Sequence, residues 1–93
     1  MLDSLNYLIK LVRERKEKPT EGSYTNKLLN DKSLSKAKVL EEINELIESV
    51  EKDSNKIHES ADVLYHLIVY LEANGIKIED VMDELKKRRK EKG

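Results

Sequence analysis

Two carboxylate pairs stand at the same spacing in neighbouring stretches of the chain: Glu42 and Glu45 in KVLEEINE, and Glu59 and Asp62 in HESADVLYH. Residues three apart on a helix are neighbours on its surface, so each pair holds two carboxylates side by side. Like charges held that close repel unless a cation lies between them. If the two helices are the arms of a hairpin, E-x-x-E on one faces E-x-x-D on the other. Four hard oxygen donors in one cleft suit Mg²⁺, with Mn²⁺ as a substitute. Such an ion stays partly hydrated and shares its shell with substrate phosphates. The chemistry this points to is metal-assisted hydrolysis of a phosphoanhydride.

The two pairs are not equally informative. In a chain that is 40% charged, E-x-x-E also describes an ordinary solvated, salt-bridged face. Glu59 and Asp62 say more, because the helix carrying them is apolar nearly all round. Burying a lone ionised Asp costs several kcal/mol unless it is paired or ligates a metal. His66, one turn beyond Asp62, reads more readily as a satisfied core histidine than as a ligand. A di-iron carboxylate bundle is the rival metal site, but it wants Glu-x-x-His pairs. None is present: Asp62 and His66 are four apart, and Asn55 is the residue three before His58.

The elements that must position these groups follow from the apolar period. Leu5, Leu8, Ile9 and Val12 mark a first helix over about 2–17. KPTEGSYTN, Lys18 to Asn26, breaks the period and gathers Pro, Gly, Ser and Thr, which predicts a loop. A short helical turn is expected at 27–30, then a long helix over 35–52 capped by Ser33 or Ser35. Its apolar stripe is Val39, Ile43, Leu46 and Val50, widened by Leu40 and Ile47. Lys38, Glu42, Glu45 and Ser49 run beside that stripe, and Glu41 and Glu48 point outward. A third helix over 54–73, capped by Asp53 or Ser54, ends at Asn74-Gly75. Its Glu59, Asp62 and His66 fall within roughly 60° of one another. Ile57, Ala61, Leu64, Ile68 and Leu71 lie opposite. A fourth helix over 79–91 buries Val81, Met82 and Leu85 and ends in KKRRKEKG, a solvated end that complements the helix dipole.

Length and composition narrow the setting. The 93 residues, 1–93, suffice for one all-α domain of four to five helices. Net charge is −1, so no global field draws the chain to nucleic acid or to membrane. There is no cysteine, hence no thiolate zinc site and no disulfide framework. The N-terminus is a poor signal peptide, and no run reaches the ~18 apolar residues of a membrane span. A chain this short buries only about 60–65% of its unfolded surface alone. The apolar third helix has few other helices to cover it, which favours a homodimer.

The segment between the first helix and the carboxylates carries a resemblance. EGSYTNKLL, then KVLEEINE, then HESADVLYHLIVYLEANGIKIEDVMDEL closely resemble, in that order, the phosphoribosyl-ATP pyrophosphohydrolases. These enzymes, of the all-α MazG-type nucleoside-triphosphate pyrophosphohydrolases, catalyse the second step of histidine biosynthesis. The resemblance runs from Leu5 to about Arg88. It implies that Glu42, Glu45, Glu59 and Asp62 are the catalytic magnesium ligands, with Glu41 as a supporting acid. It implies substrate contacts from Arg15, Ser23, Tyr24, Thr25, Lys27 and Lys38, and it matches Tyr65 and His66 to the family's Tyr-His pair. A cytoplasmic, nucleotide-binding homodimer that hydrolyses phosphoribosyl-ATP to phosphoribosyl-AMP and pyrophosphate is the resulting expectation. It is expected to be monofunctional, since the chain is too short for the cyclohydrolase domain fused to some relatives. A house-cleaning hydrolase of other (deoxy)nucleoside triphosphates is the alternative, and a non-enzymatic helical interaction module the remote one. Leu40 and Ile43 replace the family's usual small residues, and Ser60 its frequent Ala, which bears on helix packing more than on the ligands.

Overall fold

A hairpin of two long helices organises the chain. A computed structural model describes the backbone from Met1 to Lys92 and side chains to Arg89. The elements are α1 (Asp3–Glu17), α2 (Tyr24–Asn30), α3 (Lys32–Lys52), α4 (Lys56–Ala73) and α5 (Ile78–Lys92). The described residues hold no strand, as the shortage of Gly and Pro and the abundance of Leu, Lys and Glu predict.

The helix ends follow local chemistry, with corrections to the expected caps. α2 begins at Tyr24, so the irregular segment is shorter than expected and Tyr24, Thr25 and Lys27 are helical. Ser23 is the cap: its Oγ accepts from the Asn26 N–H at 3.2 Å. α3 begins at Lys32 because Asp31, and neither Ser33 nor Ser35, accepts from the Leu34 N–H at 3.0 Å. Neither Asp53 nor Ser54 caps α4. Asp53 instead ends α3 in the left-handed region (φ 52°), and Asn55 precedes α4 in the same region (φ 58°). Asp and Asn tolerate that conformation better than other L-residues, and a three-residue turn folds α4 back along α3. Asn74-Gly75 ends α4 as expected, with Gly75 at φ 71°.

The core is small. Val12, Leu28, Ile68 and Val69 are buried, and Leu5, Leu8, Ile9, Leu29, Leu34, Tyr65 and Ile78 pack around them. α1, α2 and α4 thus share one apolar centre. Apart from Leu34 near its start, α3 does not face it as the sequence suggests. Its expected core stripe is largely solvent-facing, with Val50 57% exposed and Leu40, Ile43 and Ile47 also exposed. Ser35, Glu42 and Ser49 are the buried residues of α3. The acidic stripe, and not the apolar one, is turned into the hairpin. On α4, Ile57 (88% exposed), Leu64 and Leu67 are likewise uncovered. The helical period was right; which apolar face meets its own chain was not.

α5 departs in the same way. Ile78 reaches the core and Val81 is half-buried, but Met82 and Leu85, expected to be buried, are exposed. Charge ties the start of α5 to α1. Arg13 grips Glu79 through two N–H···O bonds of 2.8 and 2.5 Å and reaches the buried Glu72 at 3.3 Å. The guanidinium holds the Glu79 carboxyl down at about 2, chiefly through these hydrogen bonds.

Candidate metal centre and substrate loop

Two helical turns facing one another build the acidic cleft. α3 presents Glu42 and Glu45, and α4 presents Glu59 and Asp62. One carboxylate oxygen each from Glu42, Glu45 and Glu59 lie within 4.8 Å of one another. Glu59 also belongs to a second trio, with His58 and Asp62, that meets the same limit. The predicted quartet is therefore assembled as two overlapping groups joined at Glu59. Asp62 leans to the outer side, where its Oδ2 lies 3.4 Å from His58 Nε2.

The inner trio is poorly satisfied by the protein alone. Glu42 is only 7% exposed, and its Oε2 is buried without a hydrogen-bond partner; Glu59 Oε2 is in the same condition. Burial pushes the Glu42 carboxyl above its ordinary range, and Glu45 adds to this. Burial and Glu45 likewise raise Glu59. Buried carboxylate oxygens facing each other, with no donor supplied, fit a divalent cation and fit a structural ion-pair network badly. The cleft opens toward the α3–α4 turn into a cavity of about 300 Å³ lined by Glu45, Glu48, Ser49, Lys52 and Glu59.

Glu41 does not join the cluster. It is exposed and accepts from Lys38 Nζ at 3.1 Å, which raises the pKa of the Lys38 ammonium. Lys38 remains one turn before Glu42, between the acids and Tyr24.

The residues expected on the loop divide into two kinds. Lys27 is exposed and lines, with Thr20, Gly22, Ser23 and Tyr24, a cleft of about 630 Å³. Ser23 lines that cleft while capping α2. Arg15 enters the loop's structure through its backbone carbonyl, which accepts from Asn26 Nδ2 at 2.8 Å. Thr25 is buried and its hydroxyl meets the Tyr65 hydroxyl at 2.5 Å. Tyr24 Oη lies 3.0 Å from His66 Nε2, and the Tyr24 and Tyr65 rings stack at 6.3 Å. Burial raises the Tyr24 phenol, with Lys38 opposing and Tyr65 and Glu42 reinforcing.

Two residues were missed. Asn26 is buried and organises the loop: its Oδ1 accepts from the Thr20 N–H at 2.8 Å while its Nδ2 holds Arg15. An Asn just after a Ser-initiated turn was the available signal. His58 was passed over as the wrong spacing for a di-iron site, although its place four residues before Asp62 foretold the contact.

Comparison with known proteins gives the chain a family. The family model described as "Phosphoribosyl-ATP pyrophosphohydrolase" matches residues 5–89. The chain is similar to the phosphoribosyl-ATP pyrophosphatase of Clostridium acetobutylicum, 45% identical over 89 residues, covering 90% of this chain and 79% of that protein. It is 42% identical over 91 residues to the phosphoribosyl-ATP pyrophosphatase of Methanococcoides burtonii, covering 91% of each. It is also 43% identical over 92 residues to a histidine biosynthesis bifunctional protein of Pyrococcus furiosus, covering 96% of this chain but only 43% of that longer protein.

Proposed function

The chain belongs to the phosphoribosyl-ATP pyrophosphohydrolase family, and on that premise we propose that it hydrolyses phosphoribosyl-ATP to phosphoribosyl-AMP and pyrophosphate, as a Mg²⁺-dependent homodimer in the histidine pathway. The observation that carries the metal is the inner trio of Glu42, Glu45 and Glu59, two of whose oxygens are buried with no partner. Asp62 completes the set from the adjoining trio. When bound, Mg²⁺ neutralises phosphate charge and makes water a better nucleophile toward the phosphoanhydride.

The chain's own groups have separable tasks. Water adds across the α–β phosphoanhydride, so the products are a nucleoside monophosphate and pyrophosphate, and no covalent protein intermediate is required. Lys38, already ion-paired beside Glu42, and Lys27, free to reach the loop cleft, offer ammonium groups to the triphosphate. Ser23 presents its hydroxyl on the same cleft to the riboses and phosphates, and the exposed part of the Tyr24 ring lines it.

No helix among the described residues is long and apolar enough to cross a membrane, and we place the enzyme in the cytoplasm. The homodimer reading draws on the outward apolar faces of α3 and α4. The decisive experiment measures pyrophosphate release from phosphoribosyl-ATP, ATP and dUTP side by side, with EDTA and with added Mg²⁺ or Mn²⁺. Phosphoribosyl-ATP should be strongly preferred, with activity abolished by EDTA and restored by either ion. Preference for ATP or dUTP would assign a general nucleotide hydrolase, and activity in excess chelator would remove the metal.

A further inference from the structure

The contact between α2 and α4 has a register of its own. Tyr24 meets His66 and Thr25 meets Tyr65, so two consecutive residues of the substrate helix engage two consecutive residues of the metal helix in opposite order. His66 is buried, at 6% exposure. Its Nδ1 lies 2.8 Å from the backbone carbonyl of Asp62. A carbonyl can only accept, so Nδ1 of the neutral ring carries the proton and Nε2 presents a lone pair, to which the Tyr24 hydroxyl donates. The three rings pack around this contact: Tyr24 and Tyr65 stack, and His66 stands edge-on to both, at 5.8 and 5.0 Å. Thr25 and Tyr65 satisfy one another, and the two ring nitrogens of His66 are taken by Tyr24 and the Asp62 carbonyl. Only Tyr24, 43% exposed, also lines the loop cleft.

We propose that His66 is a positioning residue which, with Tyr65, latches α2 onto α4 and sets the substrate loop in register with the metal ligand Asp62. His66 bonds to the Asp62 backbone on one side and to Tyr24 on the other, so a single side chain fixes the distance between the two halves of the site. This role rests on the proposed pyrophosphohydrolase activity, and it takes His66, Tyr65 and Thr25 out of direct contact with substrate.

The test compares wild type, His66→Phe, Tyr24→Phe, the double variant and His66→Gln, using phosphoribosyl-ATP turnover and the shift of the thermal melt on adding Mg²⁺. Phe keeps the bulk of either ring; Tyr24→Phe removes the Tyr24–His66 bond, and His66→Phe removes that bond and the one to the Asp62 carbonyl; Gln restores an acceptor near the position of Nε2. Each single Phe variant should raise KM about tenfold, as losing one well-placed hydrogen bond does, with kcat within about threefold of wild type. The double variant should be no worse than His66→Phe alone, since Tyr24→Phe removes a bond that His66→Phe has already removed. His66→Gln should recover most of the lost KM, and the Mg²⁺-induced shift should be that of wild type throughout. Unchanged KM in the folded Phe variants would reduce the latch to core packing. A collapse of kcat at constant KM, additive losses in the double variant, or a lost Mg²⁺ shift would overturn it in favour of a direct part in the reaction or the metal shell. If His66→Phe does not fold, Tyr24→Phe removes the same bond from the exposed side and decides alone. Wild type without turnover would instead overturn the functional reading, and the latch with it.

Discussion

Glu45 is the residue on which the charge state of the cleft turns. It faces both Glu42 and Glu59, and both carboxyls are pushed up by burial first and by Glu45 second. A carboxyl raised in the folded state favours the protonated form. Its stabilising contribution is therefore present below the ordinary carboxylate range and is lost as pH rises through the higher folded value. The metal-free protein should lose stability as pH climbs from the acidic side toward neutrality, in the opposite sense to an acid-denatured salt bridge. Glu45→Gln should flatten that slope and leave metal-free stability at neutral pH unchanged or higher by up to about 1 kcal/mol. The same variant loses a ligand, so Mg²⁺ should stabilise it less and turnover should collapse. Thermal melts in EDTA and in Mg²⁺ between mildly acidic and neutral pH check both statements. A large loss of metal-free stability with intact catalysis would make these acids structural.

At the scale of elements, α5 depends on one guanidinium. Arg13 serves an exposed partner, Glu79, and a buried one, Glu72, whose side chain is 7% exposed. The two contacts should differ in worth. Glu79→Gln removes a solvent-screened pair and should cost little, with the cost fading at high salt. Arg13→Ala also strips the guanidinium from buried Glu72 and should cost about 1–3 kcal/mol more, because an unsatisfied buried carboxylate bears its full desolvation penalty. Lys16, whose Nζ donates to the Glu72 carbonyl at 2.7 Å, does not replace the lost side-chain contact. Urea melts of the two variants give the ranking, and faster amide exchange in α5 than in α4 should accompany both. Equal costs would mean that Arg13 acts only through Glu79.

At the scale of the whole molecule, the described surface is apolar where a lone chain should be polar. Leu40, Ile43, Ile47 and Val50 lie uncovered along α3, and Ile57, Leu64 and Leu67 along α4. Contiguous apolar patches of this kind mark interfaces. A second copy laid on the hairpin would supply the burial that a four-residue core lacks. Light scattering should give a dimeric mass at micromolar concentration. Ile47→Asp should shift it toward monomer and lower the melting temperature without touching a ligand position. A monomeric wild type with full turnover would leave these faces without a partner.

Helical period, the two carboxylate pairs and the Gly22–Thr25 signature were legible in the sequence because each is local. Spacing alone puts Glu42 beside Glu45 and Glu59 beside Asp62, and Gly75 stops α4 wherever that helix docks. The family resemblance followed from the same short-range patterns. Only the tertiary structure decided which face of α3 turns inward, because that choice weighs packing of the Glu42 and Ser49 face into the hairpin against apolar surface left outside, and no local pattern contains the comparison. It likewise decided that Tyr24 and Thr25 close on His66 and Tyr65. Those contacts join residues as many as 42 positions apart, and they exist only once the α3–α4 hairpin and α2 have packed together.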